Sequence, residues 1–225
     1  MRRLLSVVLS ALLVLFAMPI SASAHSDNIE IAYGYLVVET QYDANLYDVR
    51  YVDSDDEVIA EIYEKDSNNQ VERFIFEKLP PQTRSSNSVS THTFRNEKIE
   101  ADDGFKELVW GVEVKAKVWH EGSFGEIQDF STPVVYITGL TTFNHESDNV
   151  YPDDPDDVRL PATSVDFSAS TTLKSISTTE TSGSVSLGIN IDDIIEVGFE
   201  TGGAVSGEHY YYKRVDLGFT IRAMA

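Results

Sequence analysis

Two groups of closely spaced carboxylates suggest the simplest site chemistry in this sequence. The first group comprises Asp153, Asp154, Asp156 and Asp157, with Asp148 shortly before it. The second comprises Asp53, Asp55, Asp56 and Glu57. Calcium takes about six to eight oxygen ligands, which dense carboxylates supply. We therefore predict a calcium site at the first group, although neither group has the spacing of an EF-hand loop and solvated acidic loops are the alternative.

Residues 1–24 have the pattern of a signal peptide. Arg2 and Arg3 form a short positive start, residues 4–16 are apolar apart from two serines, and small residues end the segment at Ala24. The apolar run is shorter than the roughly 20 residues that span a bilayer. The pattern favours Sec-type export with cleavage near Ala24 over a membrane anchor. We expect a protein that is secreted or held at the cell surface, outside the cytoplasm.

Cleavage after Ala24 makes His25 a candidate metal ligand, because it becomes the N-terminal residue. Its α-amine and ring nitrogen would bind one ion together, and such nitrogens suit Cu(II). A second histidine would complete a T-shaped site, and the candidates are His92, His120, His145 and His209. This arrangement resembles the histidine brace of lytic polysaccharide monooxygenases and of small copper-binding periplasmic β-sandwiches. The resemblance implies a copper carrier or an oxidative enzyme, and the alternative is a terminal histidine without a role.

Motifs of hydrolytic chemistry are missing from the sequence. It contains no G-x-S-x-G nucleophile elbow, no HExxH zinc motif and no phosphate-cradling glycine loop. The chain has no cysteine, which excludes a cysteine nucleophile and thiolate metal sites. With 37 acidic residues, a pair of carboxylates at glycosidase separation has no diagnostic value. These observations favour a non-catalytic protein.

The chain is strongly acidic, with 17 basic residues, 37 acidic residues and a net charge of −20. This charge repels DNA, RNA and anionic lipid. It favours solubility, bound cations or basic partners. We therefore expect no nucleic-acid partner, and an extracellular ligand or protein of unknown identity instead. Adaptation to a saline habitat would explain the same charge without a functional role.

Alternation of apolar and polar residues dominates the rest of the chain and predicts β-strands. The strongest strand is predicted over residues 108–119. Its apolar face contains Leu108, Trp110, Val112, Val114, Ala116 and Val118, and its other face is expected to be wet. Further strands are predicted over residues 29–39, 46–52, 58–63, 71–79, 89–94 and 134–137.

Residues 144–161 interrupt this pattern with three prolines and six acidic residues, which predicts an irregular acidic loop or linker. The hairpin-rich C-terminal part, residues 162–225, holds about four further strands, and on its own it would bury only a thin core. We expect it to pack with the first part, and a separate module is the alternative. The same alternation occurs in pore-forming hairpins. Aromatic girdles are lacking, so membrane insertion is not expected.

These strands predict an all-β fold: an antiparallel β-sandwich, immunoglobulin-like or jelly-roll-like, with a closed barrel as the alternative. We expect residues 25–225 to form a single acidic β domain. The function predicted is that of a secreted, non-catalytic β-sandwich, acting as an extracellular binding module or as a surface or structural module. The alternatives are a copper protein based on His25 and a β-hairpin pore-forming protein.

Overall fold

The computed structural model describes residues 27–79, 87–102, 107–122, 124–139, 143–177, 196–199 and 209–224, and the statements below concern this part of the chain. It contains thirteen β-strands and one short 3-10 helix. The strands are β1 Asn28–Tyr33, β2 Leu36–Asp43, β3 Tyr47–Asp53, β4 Glu57–Glu64, β5 Gln70–Glu77, β6 Asn87–Asp102, β7 Glu107–Glu121, β8 Phe124–Phe130, β9 Val134–Gly139, β10 Phe143–Tyr151, β11 Ser164–Ser177, β12 Glu196–Phe199 and β13 His209–Ala223. The 3-10 helix spans Pro155–Asp157.

The strands form two antiparallel sheets. Sheet A has the order β1-β2-β13-β11-β10, with β12 beside the start of β13. Sheet B has the order β3-β4-β5-β6-β7-β8, with β9 also paired to β7. Along the long strand β7, β9 pairs with the first half and β8 with the second half. The predicted β-sandwich is therefore confirmed, and the described strands do not close into a barrel.

Aromatic side chains from both sheets meet in the middle of the sandwich. The ring of Phe219 on β13 lies 5.9 Å from that of Phe74 and 5.6 Å from that of Phe94, both on sheet B. Phe167 on β11 stacks on Phe219 at 5.3 Å and contacts Phe130 of β8 edge-on at 5.3 Å. All five side chains are buried. Burial of such large apolar surfaces is the main force that holds the two sheets together.

Strand β7 has the predicted inward face, since the six apolar residues from Leu108 to Val118 are at most 1 % exposed. Its outer face differs from the prediction over the first half. Lys115 and Lys117 are exposed as expected, whereas Val109 and Gly111 are buried. The alternation identified the inward face correctly, and it carried no information about neighbours that cover the other face.

The predicted irregular segment 144–161 is a β-strand over its first half, and this corrects the prediction. Strand β10 is the edge of sheet A and pairs with β11, with a register shift between Glu146 and Asn149. The carboxylates that concealed the strand in the sequence are tolerated because an edge strand faces solvent. Beyond the short helix, Val158 and Leu160 pack against the core, and Ala162 bridges to Ile127 of β8.

Sheet A contains strands from both sides of this segment, because β13 pairs with β2 and with β11. The C-terminal part therefore shares a sheet with the start of the chain. The alternating residues 185–191, for which the sequence also predicts a strand, lie outside the described residues.

Candidate functional site

A groove runs along one flank of the sandwich, between the edge strands β9 of sheet B and β10 of sheet A. Its volume is about 620 Å³. The lining residues, which define what we call the flank groove, are Val135, Tyr136, Ile137, Thr138, Gly139, Phe143, Asn144 and His145. The groove lies where sheet B ends at β9 and sheet A ends at β10, and no described strand pairs with the outer edge of β9.

The flank groove combines an apolar floor with a polar wall. Val135 and Phe143 are 9 % and 6 % exposed and belong to the hydrophobic core. Thr138, Asn144 and His145 are exposed at its sides. Ligand sites in proteins have this composition, in which apolar surface gives affinity and a few polar groups fix orientation.

A β-bulge in β10 brings a histidine and a carboxylate together at the groove. Ser147 has φ +60°, which is uncommon for a residue other than glycine. This turn of the backbone directs Asp148 toward His145, and the carboxylate lies 2.8 Å from His145 Nδ1. Thr171, which is buried on β11, donates a hydrogen bond of 2.6 Å to Asp148. The imidazole of His145 is thereby held in one orientation on the groove wall.

The other wall of the groove is anchored by a buried carboxylate. Glu97 on β6 is 2 % exposed. It accepts hydrogen bonds from Tyr136 Oη at 2.7 Å and from Arg73 Nε at 2.6 Å. Burial, with a smaller contribution from Glu97, raises the pKa of Tyr136 above its usual range, so the phenol stays protonated and donates. The bond ties β9 to sheet B.

A glycine on β7 makes room for this anchor. A Cβ atom at Gly111 would lie 2.4 Å from the backbone oxygen of Asn96 and 3.1 Å from Tyr136 Oη. Any larger residue would push β6 away or displace the tyrosine.

A second polar cluster occupies the interior near the β1–β2 turn. The ring of Tyr35 stacks on His120 with centroids 3.6 Å apart and meets His92 edge-on at 6.4 Å. His120 Nε2 hydrogen-bonds to Ser88 Oγ, and His92 Nε2 lies 2.9 Å from Ser90 Oγ. Both histidines are buried, and His92 Nδ1 has no hydrogen-bond partner.

Gly34 closes this cluster from the turn. It has φ +59°, and a Cβ atom there would lie 2.7 Å from His92 Cε1. Burial, and secondarily the nearby His120, lowers the pKa of His92 to about 4. The ring is therefore neutral at physiological pH, as expected for a histidine packed in a core.

Of the residues predicted to bind copper, His25 lies outside the described residues, as does the predicted signal peptide. The structure brings His92 and His120 together beside the β1–β2 turn. Asp27 lies at the opposite end of β1. His145 is on the groove wall, and His209 begins β13. The copper site stays a prediction.

The acidic group predicted to bind calcium surrounds the short 3-10 helix. Asp154 caps this helix by accepting a hydrogen bond of 2.9 Å from the Asp156 amide. The pKa of Asp157 is raised, first by a hydrogen bond with Asp153. Among the described residues, no three histidine, aspartate or glutamate side chains are grouped so that they could hold a metal ion. The calcium prediction gains no support from this arrangement.

A buried polar network between the sheets was not expected from the sequence. Glu72 on β5 is fully buried, and it accepts hydrogen bonds from Tyr42 Oη at 2.7 Å and from Asn96 Nδ2 at 2.6 Å. Burial raises the pKa of Glu72, and these two donors partly offset the effect. The only sequence signal is a glutamate in line with Phe74 and Phe76 on the inward face of the strand.

In the described part of the chain, no helix has the length and apolar character needed to cross a membrane. Comparison with protein-family models, with curated proteins and with solved structures finds no match to this chain.

Proposed function

We propose that this protein is an exported, non-catalytic binding module that holds its ligand in the flank groove. The observation that carries the proposal is the pairing of an apolar floor, formed by Val135 and Phe143, with a histidine held in place by Asp148. The flank groove has a volume of about 620 Å³, which suits one ligand segment, since ligand sites usually measure about 300–1,000 Å³. The predicted signal peptide supports a role outside the cytoplasm.

Rigid walls support recognition. The Tyr136–Glu97 hydrogen bond anchors β9, and the contacts of Asp148 with His145 and Thr171 anchor the bulge of β10. A site formed by held side chains loses less conformational entropy when it binds a ligand. Among the described residues that line the groove, no nucleophile is paired with a base, which is why we propose binding rather than catalysis.

The test is a selection of random displayed peptides of about 10 residues, the length of a long β-strand, on immobilised protein. Enriched peptides are expected to lose binding to Thr138→Trp, in which an indole fills the groove, by about tenfold or more. The matched control is Thr91→Trp, which replaces an exposed strand threonine on β6 outside the groove. Peptides that bind both variants equally well, or no enrichment above a blank surface, would contradict the proposal.

A further inference from the structure

Strand β9 is an edge strand without a charged residue, and we call its outer side the bare edge. Among the edge strands that the structure describes, the other five each carry at least one charged residue: Glu30 in β1, Asp48 in β3, Glu126 in β8, Glu146 in β10 and Glu196 in β12. Strand β9 has none, and its pairing with β7 shows no register shift. Proteins usually protect sheet edges with charges or bulges, because an unprotected edge pairs with other chains.

This bare edge lies directly on the flank groove. All residues from Val135 to Gly139 line it, so there is open space where a further strand of sheet B would lie. Backbone N–H and C=O groups on every second residue of β9 point away from β7 and toward this space. An extended segment placed there would form main-chain hydrogen bonds with β9, and every second side chain would contact the apolar floor.

We infer that the flank groove binds an extended basic peptide segment, which joins sheet B as a new strand beside β9. This inference rests on the proposed function and names its ligand class. Charge decides between the possible occupants. The chain has a net charge of −20, so two copies repel each other, whereas a lysine- or arginine-rich segment is attracted. On the facing strand β10, the carboxylates of Glu146 and Asp148 are already bonded to Lys174 and His145, so the attraction comes from the net charge of the chain as a whole.

The experiment uses the full exported chain and a synthetic peptide of about eight residues, a common strand length, in which lysine alternates with valine. Its control is the same peptide with glutamate in place of lysine. The lysine peptide is expected to bind wild-type protein and Thr91→Trp, and to bind Thr138→Trp about tenfold more weakly. Should Thr138→Trp fail to fold, Asn144→Trp fills the same groove from β10.

Amide hydrogen exchange reports directly on strand addition. With the lysine peptide bound, alternate amides of β9 are expected to exchange about tenfold more slowly than in the free protein. The exchange rates of the amides between them, which are already bonded to β7, should change little. Binding that depends on the groove but leaves β9 exchange unchanged would overturn strand addition and leave the proposed function standing. Stronger binding of the glutamate peptide would overturn the basic ligand class.

Two further outcomes would overturn the inference. If the lysine peptide fails to bind at about 1 mM, the affinity is below the weakest useful range and this ligand class is wrong. If light scattering shows a dimer of wild-type protein that Thr138→Trp abolishes, the occupant is a second copy of this chain. The peptide selection on the same groove remains an independent test of the proposed function.

Discussion

The phenol of Tyr136 donates a hydrogen bond of 2.7 Å to the buried carboxylate of Glu97, and it thereby links edge strand β9 to β6 across β7. Glu97 keeps a second partner in Arg73. The link explains how an edge strand with one neighbour can present a fixed binding surface. Its removal should weaken the strand that our proposal makes the docking edge.

Tyr136→Phe is expected to lower the free energy of unfolding by about 1–3 kcal/mol, because Glu97 stays buried with one donor fewer. The measurement is urea denaturation, supported by amide exchange in β9. Tyr51→Phe is the matched control, since Tyr51 is 58 % exposed, and it should change stability by less than about 0.5 kcal/mol. Equal effects of the two substitutions would argue against the role assigned to Glu97.

Gly111→Ala is expected to lower stability by about 1–3 kcal/mol, because its methyl group would meet the backbone oxygen of Asn96, which cannot move without shifting β6. Gly218→Ala on β13 is the control. Its Cβ atom would lie 3.6 Å from the nearest backbone oxygen, an ordinary contact. That variant should be neutral or gain up to about 1 kcal/mol, because alanine restricts the unfolded chain. Thermal and urea denaturation of both variants test the difference.

His92 should make the protein less stable in mild acid. Its pKa is lowered from 6.5 to about 4 in the folded state, so the unfolded chain binds more protons between these values and stability is lost as the pH falls through them. The expected loss between pH 7 and pH 5 is about 2 kcal/mol. His92→Gln, which can still hydrogen-bond to Ser90, should remove most of this slope in urea denaturation. An unchanged slope would mean that His92 is not the group responsible.

Glu72 should have the opposite pH dependence. Its pKa is raised in the folded state by burial, so the folded protein binds the proton more tightly and its stability falls as the pH rises above 4.5 toward the folded pKa. The groups near the carboxylate are Tyr42, Asn96, Lys98 and Glu100. The stability of wild type relative to Glu72→Gln should therefore decrease with rising pH, by at most about 1.4 kcal/mol per pH unit. A difference that grows with pH would contradict the assignment.

The sequence predicts strands well where their inward residues are apolar and poorly where these residues are polar. The alternation from Leu108 to Val118 identified an inward face because side chains on a strand point to opposite sides with a period of two. Strand β6 was predicted only over residues 89–94 and spans Asn87–Asp102. Its inward face continues through Asn96, Lys98 and Glu100, so the apolar signal ends although the strand does not.

The candidate site was harder to predict than the fold. His145 and Asp148 were noted separately, one as a possible copper ligand and the other beside an acidic group. Their contact depends on a bulge in an edge strand, which the acidic composition of residues 144–161 concealed. Glu97 and Tyr136 lie 39 positions apart, and no local pattern relates them.

By itself, the sequence determined the all-β class, the absence of cysteine, the acidic charge and the inward faces of strands such as β7, because composition and two-residue periodicity are local properties. The order of strands in the sheets and the open groove between β9 and β10 were decided only by the tertiary structure. Strand pairing joins segments far apart in the chain, as when β13 pairs with β2. Polar inward residues such as Glu72 become acceptable only once distant donors reach them, and that depends on register and packing rather than on neighbours in sequence.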